Sequence, residues 1–495
     1  VRPVALSDLA DLLARRQVPH RVVGAVAVTG MSMGSQRIRP GDLMAAVPGA
    51  RVHGVAYVGE ALERGAVAVL TDEEGADRLP SGLPALVVED PRRVLGTLAA
   101  AVYGDPAGRL RMIGVTGTQG KTTTTRLAEA GLQAAGVPAA VVGTVGTRIR
   151  GRDVATTLTT PEAPDLHGLF AAMVEQEVTA CAMEVSSHAL VMGRVDGVVF
   201  DVAVFTNLGR DHLDFHADLE DYFAAKASLF TPERARRGLV NADDGWGRRL
   251  LERSSIPLRT FSATGADADW RAVDVRATAA GSSFTVVGPD GAGFPAGVAL
   301  AGDFNVANAL AAVAACGEAG LDSAAVAVAI AEGRTVPGRL ERVDVGQDFE
   351  VVVDYAHKPD AVRATLATLR PLTRGRLVVV LGAGGDRDPG KRPLMGRIAA
   401  EGADVLVVTD DNPRSEDPGA IRAEILRGVS GAAAEVHEVG DRRRAIRTAL
   451  SLAGPGDVVL VAGKGHERGQ EVAGVVHPFD DRVVVAETLR ELAVR

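Results

Sequence analysis

Cysteine is nearly absent from the 495 residues: Cys181 and Cys316 are the only two. They are too few for a disulfide framework, and a reducing compartment is the expected setting. Long apolar runs are missing as well. None reaches the ~20 residues that a membrane-spanning helix needs, and the first residues, VRPVALSDLADLLARR, lack the apolar centre of a secretory signal. Basic charge is not in excess either. The formal net charge of −9 argues against a general nucleic-acid binder, whose surface would be basic. No solenoid-type repeat or low-complexity tract occurs. The expectation is a cytoplasmic protein that is not integral to a membrane. At roughly 150 residues per domain the chain has room for about three. With 46% hydrophobic residues it can fill several cores.

Lysine is the most informative shortage. Five of the 54 basic residues are lysine and the rest are arginine. The Ala, Gly, Val and Arg bias looks like GC-rich coding, which replaces solvated surface lysines with arginine. Lysines that persist should mark places needing a compact ammonium, or an amine that can lose its proton. They are Lys121, Lys226, Lys358, Lys391 and Lys464. Four lie in Gly-, Asp- or His-rich segments, and Lys226 lies in a helix following one.

Residues 1–104 carry short apolar runs (VVGAVAV, GVAYVG, AVAVLTD, ALVVED) between turn residues, with one or two helical stretches. They read as a small α/β domain. YGDPAGRLRM, residues 103–112, has linker composition. A second region, 105–335, opens with the strand MIGVTG, a glycine turn and a helix beginning near Lys121. Strand and helix patterns alternate to about residue 320, apart from an irregular stretch near 260–300. TVPGRLERV, residues 335–343, reads as a second linker. The third region, 336–495, repeats strand, glycine-rich loop and helix four times, with strands in EVVVDYAH, RLVVVLGAGG, ADVLVVTDDNP and DVVLVAGKGHE. This alternation predicts a parallel sheet covered on both faces, with ligands beyond the strands' carboxyl ends. The expected fold is α/β in three domains: a small N-terminal domain, a central P-loop ATPase-like domain and a C-terminal Rossmann-like domain.

The chemistry concentrates in a few motifs. Thr116-Gly117-Thr118-Gln119-Gly120-Lys121-Thr122-Thr123 fits a phosphate-binding loop between strand and helix. Its backbone N–H groups would cradle phosphate at the helix start, with Lys121 on the outer phosphates and Thr122 on Mg²⁺. Glu184 ends the apolar strand TACAMEV, where a carboxylate is costly unless paired or on a metal. It reads either as a Mg²⁺ ligand or as a salt-bridged edge glutamate. In NLGRDHLDFH (207–216), His212 is a candidate near a second Mg²⁺. Lys226 either snorkels from a half-buried helix or is a buried, reactive amine that CO₂ could carbamylate. Asn305 and Asn308 share a helix face and are either caps or readers of a base edge. Asp354 and His357, Gly384 to Lys391, Asp411 to Arg414, and Gly463 to Glu467 would share one sheet edge. Their mixture of arginine and carboxylate suits an amino-acid zwitterion.

Together these motifs resemble the Mur ligases, the ATP-dependent amide-forming enzymes of peptidoglycan synthesis. The similarity covers nearly the whole chain: the TGTQGKTT loop, TTPEA (159–163), MEVSSHAL (183–190), NLGRDHLDFH, GDFNVAN, PGRLE (337–341) and VDYAHKPDA follow the family's order. DNPR (411–414) and GKGHE (463–467) resemble the branch that adds meso-diaminopimelate. The resemblance implies that Thr159, Thr160, Ser186 and Arg194 hold UDP-MurNAc-L-Ala-D-Glu, with Ser35 toward the uridine. It places Asn305, Arg339 and Asp354 on ATP, together with the loop Thr116 to Thr123. Arg387, Asp411, Asn412, Pro413, Arg414, Gly463 and Glu467 match the diaminopimelate site. Two Mg²⁺ are implied, on Thr122, Glu184, His212 and a carbamate on Lys226, with Lys121, Lys226 and His212 as the catalytic set. The family pattern departs at Gln119, at Gly34 and Gln36, and at Met192. A monomer is expected, whose C-terminal domain closes over the central one so that amine meets acyl phosphate. An L-lysine-adding relative is one alternative. A folylpolyglutamate-synthase-like ligase is another, but it sits poorly with about 110 residues before the loop and with DNPR. A non-catalytic ATP-regulated scaffold would have no use for an amino-acid site.

Overall fold

The computed structural model describes residues 2–49, 51–156, 158–278, 281–333 and 336–493. Val1, and Thr335 at the start of the second linker, lie outside them. Three main sheets organise the chain, as the three-domain α/β expectation requires. The first has five strands, in the order His20–Val23, Ala85–Val88, Ala68–Thr71, Asp42–Ala45, Gly30–Ser32. All but the first run parallel. AVLT and ALVV are buried at every position, as strands covered on both faces must be. GVAYVG departs from the other apolar runs. It forms the 3-10 turn Gly54–Tyr57 and begins the helix Val58–Glu63, because only Val55 and Val58 of the run point inward, one helical turn apart.

The central sheet is 11-stranded. In its middle Arg111–Thr116 lies between Ala180–Glu184 and Val202–Phe205, all parallel. Thr116, Glu184 and Phe205 therefore end on the same edge. Val202–Phe205 continues into Gly238–Asn241 and Leu258–Ser262. The stretch read from sequence as irregular is ordered: Trp270–Thr278, Gly281–Val287 and Gly293–Val298 form an antiparallel extension of this sheet. Its outward residues, Arg271 and Arg276 among them, dilute the apolar signal, since an antiparallel sheet needs only one dry face. The Asp303–Glu318 helix is alanine-rich and buried along most of its length. Its small side chains let it pack among the sheet and the helices Lys121–Ala134 and Ser323–Glu332.

The C-terminal sheet has six strands, in the order Glu341–Arg342, Glu350–Asp354, Val458–Ala462, Leu377–Leu381, Val405–Val408, Glu435–Glu438. The first is antiparallel and the rest are parallel. The four-unit repeat thus omits one parallel strand, Glu435–Glu438, and the short antiparallel Glu341–Arg342. Glu435–Glu438 (EVHE) is a largely exposed edge strand with no apolar run to betray it. Apolar clusters cover both faces of the sheet. Both cysteines are buried and unpaired. No helix among the described residues is long and apolar enough to cross a membrane.

The N-terminal and central domains meet through Arg37–Asp165 at 2.7 Å and Arg92–Glu162 at 3.3 Å. Between them Gly96, inside the Pro91–Val102 helix, packs directly on the Asp196 carbonyl, where a Cβ would collide with backbone. Alanine would gain about 1 kcal/mol of helix propensity there. The collision should outweigh that gain, so Gly96→Ala is expected to destabilise by a net ~1–3 kcal/mol, read as a lower urea midpoint. A variant at least as stable as the parent would show that the contact yields.

Candidate active site

The loop between Arg111–Thr116 and Lys121–Ala134 is built on two glycines with positive φ, Gly117 at 145° and Gly120 at 86°. A Cβ on Gly117 would strike the Thr206 hydroxyl, and one on Gly120 the Asn308 side chain. The neighbouring strand's loop holds the turn in place. Gln119 N donates to Asn207 Oδ1 at 2.9 Å, Thr206 Oγ1 donates to Gln119 O at 2.6 Å, and Gly209 N donates to Thr118 Oγ1 at 3.0 Å. Asn207 is a buttress that the motif reading left without a role.

Two amines converge on one carbonyl beneath this loop. Lys121 Nζ donates to Gly117 O at 2.8 Å and Lys226 Nζ to the same oxygen at 2.9 Å. Lys226 does not snorkel: it is 1% exposed and lies 4.5 Å over the Tyr222 ring. Burial, then the charges of Lys121 and Lys358, push its pKa well down. Lys121 is pushed down to about 8, by burial first and then by Lys358.

Glu184 is buried, and among the described residues no cation lies in its hydrogen-bond shell, so the salt-bridged reading does not describe it there. Its Oε1 accepts from Thr122 Oγ1 at 2.9 Å and Thr144 N at 2.8 Å, and its Oε2 from Thr144 Oγ1 at 3.1 Å. Arg339 Nη2 in turn donates to Thr122 Oγ1 at 3.1 Å. A carboxylate and a hydroxyl side by side in a cleft are hard oxygen donors that fit Mg²⁺, which characteristically takes its remaining ligands from water and phosphate. Among the described residues no three His, Cys, Asp or Glu groups converge as a metal cage. His212 stands apart from Thr122 and Glu184 in hydrogen bonding. Its Nε2 lies 3.0 Å from Asp211 Oδ2, its backbone is left-handed at φ 52°, and His188 lies edge-on to it with ring centroids 4.8 Å apart. Burial alone would raise Asp211, but Lys358 and His212 hold it well below the carboxylate range.

A cavity of about 770 Å³ runs along this edge. It is lined by Thr118 to Thr123, Thr159, Thr160, Glu184, Ser186, Arg194, His212, Arg339 and Asp354, and it continues past Asn241, Asp243 and Phe261 to Phe304 and Asn308. Thr116 and Gly117 form the strand end behind it. Thr160 Oγ1 donates to Glu184 O at 2.8 Å, and Arg194 Nε to Glu162 Oε1 at 2.9 Å. Asn305 is one layer back: Asn308 faces the cavity, while Asn305 Nδ2 donates to Ala301 O at 2.8 Å and its Oδ1 accepts from Asn308 Nδ2 at 3.2 Å. Ser35 is away from the cavity in the N-terminal domain, donating to Glu60 Oε2 at 2.7 Å.

A second, smaller cavity of about 150 Å³ is lined by Arg387, Lys391, Asp411, Asn412, Arg414, Gly463 and Glu467. Pro413 is not in its wall, and its carbonyl packs on Gly385. Lys464, fully buried, donates to Asn412 Oδ1 at 2.9 Å and Glu467 Oε2 at 3.0 Å, and Asn412 Nδ2 donates to the same Glu467 oxygen at 2.8 Å. Arg414, left-handed at φ 54°, donates from Nη1 to Gly385 O at 2.6 Å. The two cavities share a wall: His212, Asp214, Tyr355, His357, Lys358 and Arg387 line both. Lys358 pairs with Asp211 across the domains. All five lysines therefore lie at or directly beneath these cavities, which neither periodicity nor any single motif could have shown for Lys358.

The geometry has close counterparts. The family profile of the Mur ligase middle domain matches residues 115–316, that of the Mur ligase glutamate ligase domain 338–465, and that of the Mur ligase family catalytic domain 27–103. The chain is 56% identical over 474 residues to a UDP-N-acetylmuramoyl-L-alanyl-D-glutamate--2,6-diaminopimelate ligase of Streptomyces avermitilis, covering 94% of this chain and 93% of that one. A solved structure of a ligase with the same name is similar at TM-score 0.65 and 34% identity, over 94% of this chain and 96% of that one. A folylpolyglutamate synthase of Mycobacterium tuberculosis with ADP and AMPPCP shares the fold at TM-score 0.61 and 20% identity, over 81% and 95%.

The depressed Lys121 makes a prediction with a fixed sign. Below pH ~8 the amine is charged in both folded and unfolded chains, so the free protein carries the full cost of burying it. Between its folded value of about 8 and the ordinary 10.5 the unfolded chain binds more protons, and stability rises with pH. Lys121→Met should therefore melt higher than the parent at pH 7, with the gap narrowing from pH 8 to 10.5. A gap that is absent, or that widens with pH, would contradict the burial argument.

Proposed function

Because the chain belongs to the Mur ligase family, we propose that its two cavities serve one reaction. This ATP-dependent ligase joins meso-diaminopimelate to the D-Glu γ-carboxylate of UDP-MurNAc-L-Ala-D-Glu, in building peptidoglycan precursor. The observation that carries the reading is the shared wall. A phosphate loop opens on one side of it and an arginine–carboxylate cavity on the other.

ATP lies along the large cavity with its phosphates on the loop from Thr116 to Thr123, and Arg339 and Asp354 beside it. Thr159, Thr160, Ser186 and Arg194 hold the acidic substrate so that its γ-carboxylate faces the γ-phosphate. The carboxylate oxygen bonds to phosphorus as the bond to ADP breaks, giving an acyl phosphate. Lys121, leaving the Gly117 carbonyl, follows the phosphoryl charge and remains protonated on it. Thr122 and Glu184 would hold a magnesium ion, which would supply neutralisation of that charge. The diaminopimelate amine then attacks the carbonyl from the smaller cavity, phosphate departs, and the amine's proton is released.

In the smaller cavity Arg414 and Arg387 meet carboxylates, while Asp411 and Glu467 meet ammonium. An arginine at position 414 suits the distal carboxylate of diaminopimelate and would repel the ammonium of L-lysine. Carbamylation of Lys226 belongs to the same reading: a neutral amine adds CO₂ and loses a proton, leaving a carboxylate beneath the loop. Burial favours the neutral amine that this needs. With His212 the carbamate would serve a second magnesium. Ser35 turns toward the uridine, Asn305 supports the base-facing Asn308, and the protein works as a cytoplasmic monomer divided at 104/105 and 335/336.

ADP release with ATP and the UDP-dipeptide should depend on meso-diaminopimelate and be at background with L-lysine or no amine. Lysine preference would overturn the role of Arg414, and turnover with neither amine would overturn the reaction. Arg414→Ala is expected to raise KM for diaminopimelate by ~10–1,000-fold, the ~1.5–4 kcal/mol of a lost charge-assisted contact. KM for ATP should stay within about twofold. Protein equilibrated with ¹³C-bicarbonate should show a carbamate carbon signal that Lys226→Arg removes, and its persistence in that variant would place the adduct elsewhere.

A further inference from the structure

The two largest fully buried side chains are arginines, Arg392 and Arg442. Arg442 begins the helix Arg442–Leu452, and Asp481 begins the helix Asp481–Ala493. Their side chains are both 0% exposed and meet in two parallel bonds, Nε to Oδ1 at 2.8 Å and Nη2 to Oδ2 at 2.7 Å. Neither residue lines either cavity. Burial alone would lower Arg442, but Asp481, then Asp411 and Glu467, hold its guanidinium charged.

Such a pair is a poor investment in stability alone, because apolar residues of similar volume often serve as well or better. What the pair does beyond packing is shown by its remaining N–H groups. Nη2 also donates to Ala462 O at 2.9 Å, and Nη1 lies 3.4 Å from Asp410 O. These carbonyls immediately precede Gly463 and Asp411. Their strands, Val458–Ala462 and Val405–Val408, flank Leu377–Leu381, whose own loop carries Gly384 to Lys391. One rigid, planar cation therefore ties the departure points of the DNPR and GKGHE loops across the strand between them. Gly463, at φ 117°, lets the chain pass Asp411, where a Cβ would stand 2.5 Å from Oδ2.

We propose that the Arg442–Asp481 pair is the positioning device of the smaller cavity: it fixes the separation of Asp411 and Arg414 from Glu467, and so sets the affinity for the amino acid without touching it. The proposal rests on reading that cavity as the amino-acid site. Lysine at 442 keeps a charge but cannot span two carbonyls and a carboxylate in one plane. Asparagine at 481 keeps the shape and loses the charge that holds the fork.

The test compares the parent with Arg442→Lys, Asp481→Asn and the apolar pair Arg442→Met with Asp481→Leu, each first checked for parental near-UV circular dichroism and gel-filtration volume. The folded variants should show KM for diaminopimelate raised by roughly 10–100-fold, since misplacement of about 1 Å can cost that much. KM for ATP and for the UDP-dipeptide should stay within about twofold, and the first turnover to acyl phosphate, trapped without amine, should be unchanged. An unaltered KM for diaminopimelate in a folded variant would overturn the positioning role, as would an equal loss on all three substrates. Should the apolar pair not fold, the two single variants carry the same comparison. The parent serves as the control for the underlying reading: if it shows no amine-dependent turnover, the amino-acid site itself is refuted, whereas an active parent with unmoved variants refutes only the pair.

Discussion

The carbonyl of Gly117 governs the cleft. It accepts from both Lys121 and Lys226, and this holds two amines close together beneath the loop. The arrangement works because the oxygen is fixed from outside. Gly117 can adopt its φ only without a Cβ, and it packs against Thr206 at the end of the adjacent strand. Burial first, then the charge of Lys358 and, on Lys226, that of Lys121, lowers both pKa values. The site is thereby set to receive something strongly anionic, which would repay the desolvation of Lys121 as it binds.

The same logic of charge at strand ends runs through the C-terminal sheet with the signs mixed. Lys464 is fully buried, yet it is paired with the Glu467 carboxylate and hydrogen-bonded to Asn412, so it organises the cavity wall and does not create a field. Lys358 is paired with Asp211 from the central domain and forms part of the boundary between the cavities. The non-glycine residues held in left-handed backbone include His212, Asp386 and Arg414. Such conformations cost of order 1–3 kcal/mol each, and these three lie in the loops that meet at the cleft. Strain of that kind persists only where packing over-determines it, and beneath the C-terminal loops Arg392 on Gly384 O and Glu416, and Arg442 on Ala462 O, supply such packing.

Much of this was legible locally: the strand, glycine turn and helix around Lys121 from their spacing, the alternating α/β architecture from apolar runs, and the mixed charge of the C-terminal loops from their arginines, carboxylates and glycines. Local patterns suffice there because each feature is encoded within one strand and the turn after it. The scarcity of lysine pointed at the cleft for a different reason, since coding bias had removed the lysines that only solvate a surface. Periodicity failed where strands have one wet face, as at Trp270–Thr278 and Glu435–Glu438, and where a short apolar run packs as a helix, as at Gly54–Tyr57. Tertiary structure alone decided that Lys226 and Lys121 share one carbonyl, that Asn308 rather than Asn305 faces the cavity, that Lys358 bridges domains to Asp211, and that Arg442 ties two loops from behind. The partners in these contacts are separated by tens to hundreds of residues or differ only in which way a side chain turns, and those are quantities that packing, not local sequence, fixes.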